Sequence, residues 1–160
     1  MLPLVTIPNP SLRKRSQAVP LPLASDIQEF IKEMVLAMVE YDGVGLAAPQ
    51  VGKNINIIVI NTEVAPTVYI NPVVKKVSWR KDKHEEGCLS VPGVFGIVKR
   101  PSLITVEYND CQGNFVTEIL TSFLARVFQH EVDHLNGVLF IDKTLEITKG
   151  ADLLEQYLKK

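Results

Sequence analysis

The sequence predicts an α+β fold: antiparallel β-sheets packed around a central metal-binding helix, with one helix before the strands and one at the C-terminus. Three observations predict it. Ile27, Phe30, Ile31, Met34, Val35 and Met38 recur at helical spacing. From Ile55 onward the chain turns to short runs rich in β-branched and aromatic residues. A second periodic stretch, from about Ser122 to Asn136, then carries His130 and His134 four residues apart.

Taken in order, Met1 to Pro22 is punctuated by prolines and reads as extended, with at most one helical turn around Leu12 to Arg15. The first helix should run from about Asp26 to Tyr41. Ser25 with Gln28 has the capping-box pattern, and Gly43 is placed to end the helix. The stretch Gly43-Val44-Gly45-Leu46-Ala47-Ala48-Pro49-Gln50 follows, small and glycine-rich, with Gln50 its one strongly polar side chain. Strands are expected at Ile55–Ile60, Thr67–Ile70, Val73–Trp79, Val94–Val98, Leu103–Tyr108 and Phe115–Leu120. Residues Asn109 to Asn114 form a turn that makes the last two a hairpin. Glu85 to Gly93, broken by Gly, Ser and Pro, reads as a loop. On the second helix Leu124, Phe128 and Leu135 form a core stripe, while Phe123, Val127, His130 and His134 share an adjacent face. A tail helix is expected at about Thr148 to Leu158, with Leu153, Leu154, Tyr157 and Leu158 on one apolar face. Packing on the core is its expected role; a contact with the ribosome is the other role open to it.

Composition bounds the function. With 160 residues, 46% of them apolar, residues 1–160 read as one soluble domain with a proper core. A net charge of -1 gives no basis for nucleic acid or an anionic membrane as partner. Two cysteines make no disulfide framework. No apolar run approaches the roughly 20 residues that span a bilayer, and Pro3, Pro8 and Pro10 spoil any signal-peptide pattern. A reducing cytosol is therefore the expected compartment, either bacterial or the matrix of an organelle that removed a targeting segment.

The chemistry concentrates in His130-Glu131-Val132-Asp133-His134, an H-E-x-x-H pattern. On a helix both imidazoles can face one metal ion, with Glu131 beside them to move a proton. A catalytic site of this kind takes three protein ligands and leaves one position for water. The metzincin continuation fails, because Phe140 stands where its last histidine would be. Glu155 lies in the short tail helix. Cys88, His84 and Cys111 remain as third-ligand candidates.

Three segments together carry a resemblance. Gly43 to Gln50, Glu86-Gly87-Cys88-Leu89-Ser90 and Gln129 to His134 are similar, in order, to the signature segments of peptide deformylases. The likeness extends to Leu12-Arg13 and to Val138-Leu139-Phe140-Ile141-Asp142, so it covers nearly the whole chain. It implies Cys88, His130 and His134 as metal ligands, for iron(II) in the cell with zinc, nickel or cobalt as substitutes. It implies removal of the formyl group from N-terminal formylmethionine of nascent polypeptides, with release of formate. A metal-activated water would attack the formyl carbon, and Glu131 would serve as general base and then acid. Gln50 and the Leu89 N–H would donate to the developing oxyanion. Val44 and Gly45 would pair with the substrate backbone as an added strand, beside Gly87. Phe123 and Val127 would wall a methionine pocket with Arg126 at its rim, and Arg100 would steer the downstream peptide. The rival readings are an H-E-x-x-H metallopeptidase or other amidase, and a structural metal module.

Overall fold

The computed structural model describes residues 2–159. Its elements, in order, are α1 (Ser25–Glu40), β1 (Gly45–Ala47), β2 (Ile57–Asn61), β3 (Pro66–Val77), β4 (Lys81–Cys88), β5 (Val91–Pro101), β6 (Leu103–Asn109), β7 (Phe115–Thr121), α2 (Ser122–Leu135), β8 (Thr144–Lys149) and α3 (Ala151–Leu158). All strand pairs are antiparallel. One sheet has five strands in the order β1-β2-β3-β6-β7, and the other has three in the order β4-β5-β8. The architecture is α+β.

Strand β2 shows why the layers stack as they do. Its run Ile57-Ile58-Val59-Ile60 is buried throughout, because each face meets a different helix. Ile57 and Val59 pack with Phe30, Met34 and Met38 of α1. Ile58 and Ile60 pack with Ala125, Phe128 and Leu135 of α2. A third cluster joins Val91, Val94 and Val98 of β5 to Leu12, Leu139 and Phe140. Helix α2 therefore lies between the two sheets, against β1 and β2 on one side and β5 on the other.

Several boundaries differ from the sequence expectation. Helix α1 is capped by Ala24 rather than Ser25, and the Gln28 amide donates to the Leu23 carbonyl instead of closing a capping box. Its C-terminus is turned by Asp42, with a φ of 53°, and not by Gly43. The Gly43 N–H reaches back to Met38 O and the Asp42 N–H to Val39 O, a Schellman closure with aspartate in the left-handed position. The two runs expected at Thr67–Ile70 and Val73–Trp79 are one strand, irregular between Ile70 and Val73, that stops before Trp79. The segment read as a loop from Glu85 is largely strand: Lys81–Cys88 pairs with β5, and only Leu89 and Ser90 form the turn. Residues Thr144–Lys149 pair with β5 as β8, so the tail helix begins only at Ala151. Leu154 and Tyr157 of α3 pack on the third cluster, whereas Leu153 and Leu158 stay exposed.

The proline-rich start is a strap. Val5 N–H donates to Gln50 O, Ile7 N–H to Ser90 O and Ser16 N–H to Leu135 O, so it braces three segments that carry site residues. Arg13 pairs with Asp142. Among the described residues, no helix is long and apolar enough to cross a membrane.

Helix α2 ends in a second Schellman closure at Gly137, with a φ of 72°. A Cβ there would sit 2.3 Å from the Arg13 carbonyl oxygen. Gly137→Ala should therefore destabilise the protein by at least about 2 kcal/mol in urea unfolding, since the clash adds to the left-handed backbone penalty. Gly113→Ala, at a φ of 86° but facing open space, should lose only about 1 kcal/mol. Equal losses at the two positions would remove the steric part of the argument.

Candidate metal centre

Three segments meet at one cavity of about 620 Å³. Helix α2 projects His130, Glu131 and His134. The end of β4 supplies Cys88. The 3-10 turn Ala48–Val51 after β1 supplies Gln50. The donor atoms of Cys88, His130 and His134 all lie within 4.8 Å of one another, and Cys88 Sγ is 3.2 Å from His134 Nε2. One sulfur and two ring nitrogens at this spacing suit a single borderline-soft divalent ion. His84 and Cys111, the other candidates, lie outside this group, and Cys111 is exposed.

The ligand group is held from behind. His130 Nδ1–H donates to Glu86 Oε2 at 3.0 Å, which leaves Nε2 turned toward the cysteine. Gln50 is fixed at both ends of its amide. Its Oε1 accepts from Ala47 N at 2.8 Å, and its Nε2 donates to Ser90 Oγ at 3.2 Å, with Cys88 Sγ 3.5 Å away.

Among the described residues three buried side-chain atoms have no hydrogen-bond partner, Ser16 Oγ on the N-terminal strap and, at this site, Glu131 Oε2 and His134 Nδ1. An orphaned buried carboxylate oxygen is a net loss of about 1–3 kcal/mol, which a fold tolerates where chemistry needs the atom. Glu131 is also approached from the opposite side by β1. A Cβ on Gly45 would lie 2.5 Å from Glu131 Oε1, so only glycine lets this strand pass so close.

Burial pushes the Glu131 carboxyl up to about 7, although the neighbouring His130 and Arg100 charges pull the other way. Burial and the facing His130 hold His134 well below the ordinary histidine value. Burial opposes charge on His130 too, but its hydrogen bonds to Cys88 and Glu86 outweigh that and raise it.

Of the residues expected at the cavity, Val44, Gly45, Gly87, Leu89, Phe123 and Val127 all line it. Arg126 lines it as well, but not as a free rim charge: it is 8% exposed, with Nη1 donating to Glu86 Oε1 at 2.6 Å and Nη2 to Asp82 O at 2.7 Å. Arg100 sits elsewhere. It is 3% exposed and does not line this cavity, its guanidinium donating to Glu86 (2.7 and 2.9 Å) and Asp133 (2.7 Å). Sequence reasoning gave no role to Glu86, Asp133 or Ser90. Only the neighbourhood of Glu86 to Cys88, and of Asp133 to both histidines, hinted at them.

The Glu131 shift has a consequence for stability. Its folded pKa lies above the unfolded value of 4.5, so the unfolded chain gives up its proton first and stability falls as pH rises from 4.5 to about 7. In the metal-free protein, Glu131→Gln should therefore be more stable than the parent at pH 8, by up to about 3 kcal/mol. That advantage should vanish below pH 4.5 in urea titrations. A constant difference across this range would contradict the assignment.

The sequence model of the polypeptide deformylase family matches residues 1–149. Peptide deformylase 2 of a Nostoc species is 39% identical over 153 residues, covering 89% of this chain and 86% of that protein. The crystal structure of peptide deformylase from Thermotoga maritima superposes with a TM-score of 0.88 at 40% identity, covering 91% of this chain and 99% of that one. A Met-Ala-Ser-bound crystal structure of a class I type b peptide deformylase from Acinetobacter baumannii superposes with a TM-score of 0.84 at 32% identity, covering 89% and 98%. A family match over residues 1–149, with relatives of this identity and coverage, makes this chain a member of the polypeptide deformylase family.

Proposed function

We propose that this chain removes the formyl group from the N-terminal formylmethionine of nascent polypeptides, in the cytoplasm, and releases formate and a free amine. The observation that carries the reading is the convergence of Cys88, His130 and His134 beside the buried, unpartnered oxygen of Glu131. Family membership supports the reaction, and the Met-Ala-Ser bound to the Acinetobacter relative has the form of its peptide product.

Cys88, His130 and His134 would hold one divalent ion. The sulfur donor suits iron(II), and zinc, nickel or cobalt would fit the same three atoms. When bound, such an ion supplies Lewis acidity, lowering the pKa of a water and polarising a carbonyl. The residues of the chain do the rest. Glu131 takes a proton from the attacking water and passes one to the leaving nitrogen. The Gln50 amide, locked by Ala47 and Ser90, and the backbone N–H of Leu89 donate to the oxygen that gains charge on the formyl carbon. Strand β1 is an edge of its sheet, so its free side at Val44 and Gly45 can pair with the substrate backbone without reading side chains. Phe123, Val127 and Val44 line the cavity as apolar walls for methionine.

Formate release from formyl-Met-Ala-Ser by anaerobically prepared, iron(II)-loaded protein tests this directly. Glu131→Gln should reduce kcat/KM by about 10³-fold. Gln50→Ala should reduce it by about 10²-fold, roughly 3 kcal/mol of barrier. Chelation should abolish release, and iron(II) should restore it. Cleavage of the unformylated peptide in place of formate release would replace this reading with a metallopeptidase.

Glu86→Gln should lower stability and, in the folded variant, weaken metal retention by about 10–100-fold in competition with a chelator, because His130 loses the carboxylate that orients it. Unchanged retention would remove Glu86 from the site.

A further inference from the structure

A second cavity, of about 470 Å³, adjoins the first and is lined by Asp82, His84, Arg100, Pro101 and Ser122 among others. Three residues line both cavities: Glu85, Phe123 and Arg126. Glu85 and Phe123 are exposed and stand at the solvent edge, Phe123 at 63% exposure. Arg126 alone is buried. It reaches from α2 across to both strands of the β4–β5 hairpin, donating to Asp82 O on β4 and to Val98 O on β5 at 3.1 Å, as well as to Glu86. A guanidinium held by three acceptors on two strands is a fixed bar and not a mobile side chain.

We infer that Arg126 is the partition between these cavities, and that it sets the longest first-residue side chain the enzyme accepts. This inference rests on the deformylase reading above. With both terminal nitrogens of Arg126 hydrogen-bonded to Glu86 and the β4–β5 backbone, what it offers the pocket beside Val127 is its aliphatic stem, a suitable end wall for an unbranched thioether. Shortening Arg126 joins the two spaces, and a longer unbranched side chain then has room to extend toward Asp82 and Pro101. Glu86 would retain Arg100 and His130 as partners, so the ligand support persists in such a variant.

The test is a series of formyl-X-Ala-Ser peptides in which X is norleucine, 2-aminooctanoate or 2-aminodecanoate. In the parent enzyme kcat/KM should fall at least tenfold from the first to the last. Arg126→Ala should shrink that ratio to threefold or less, and Arg126→Met, which refills the wall without charge, should restore it. Calorimetric affinities of the deformylated peptides for Glu131→Gln protein should follow the same ranking with no turnover involved. Equal handling of all three by the parent, or an unchanged ratio in folded Arg126→Ala, overturns the proposal. Should that variant fail to fold, a crystal structure of the parent with Met-Ala-Ser decides: the methionine methyl should touch the Arg126 stem, and a side chain directed elsewhere overturns it. Absence of formate release from formyl-Met-Ala-Ser by the parent is a separate outcome, and it removes the deformylase reading itself.

Discussion

The Glu86 carboxylate accepts hydrogen bonds from Arg100, Arg126 and His130 in a site closed to solvent, and much of the structure is arranged so that it can. Burial alone would raise its pKa; the hydrogen bonds from His130 and Arg100 outweigh burial and hold it well below the usual carboxylate range. It therefore stays charged at any physiological pH. Arg100 passes the charge pairing on to Asp133, which also accepts from Lys143. One connected network thus joins β4, β5, α2 and the approach to β8. Removing the Glu86 charge would leave Arg126 buried without a carboxylate partner, typically a loss of about 3–5 kcal/mol. Such a network adds little net stability over an apolar core. What it adds is position, because a bidentate arginine and a three-way carboxylate tolerate only one arrangement of the strands and helix that bear them.

Position is what the candidate centre needs. Its parts come from both sheets and from the helix between them: Gln50 follows β1, Cys88 ends β4, and the histidines project from α2. No local stretch of chain holds two of these elements together. The N-terminal strap and the Glu86 network do so from opposite sides, the strap through the backbone of Gln50 and Ser90 and the network through side chains. Within that frame two of the three unpartnered buried side-chain atoms found among the described residues fall at the candidate centre, the oxygen of Glu131 and the nitrogen of His134. The Glu131 oxygen lies where a water bound beside the three ligand residues would supply the missing interaction, whereas His134 Nδ1 is on the ring edge turned away from Cys88.

Much of this was legible from sequence. Apolar spacing located α1 and α2, because a helix buries one face at a period that depends only on its own geometry. The turn residues between Asn109 and Asn114 located the β6–β7 hairpin: Asp110 Oδ1 accepts from the N–H groups of Gln112 and Asn114, a local bond that needs no distant partner. The histidine pair followed from helical periodicity alone. Cys88 was one of three candidates by spacing, and resemblance to a family singled it out.

Tertiary structure decided the rest. Strand β4 is written in Lys-Asp-Lys-His-Glu-Glu, polar and mostly exposed, and becomes a strand only because β5 supplies its hydrogen bonds. Strand β8 has an ambiguous local pattern and is likewise settled by pairing with β5. Arg100 and Arg126 read as surface charges until the fold brings Glu86 to them from 14 and 40 residues away. The sequence by itself determined which segments are periodic and which residues can do chemistry, since both are properties of short stretches. Only the tertiary structure decided which charges are buried together, because that depends on contacts between residues far apart in the chain.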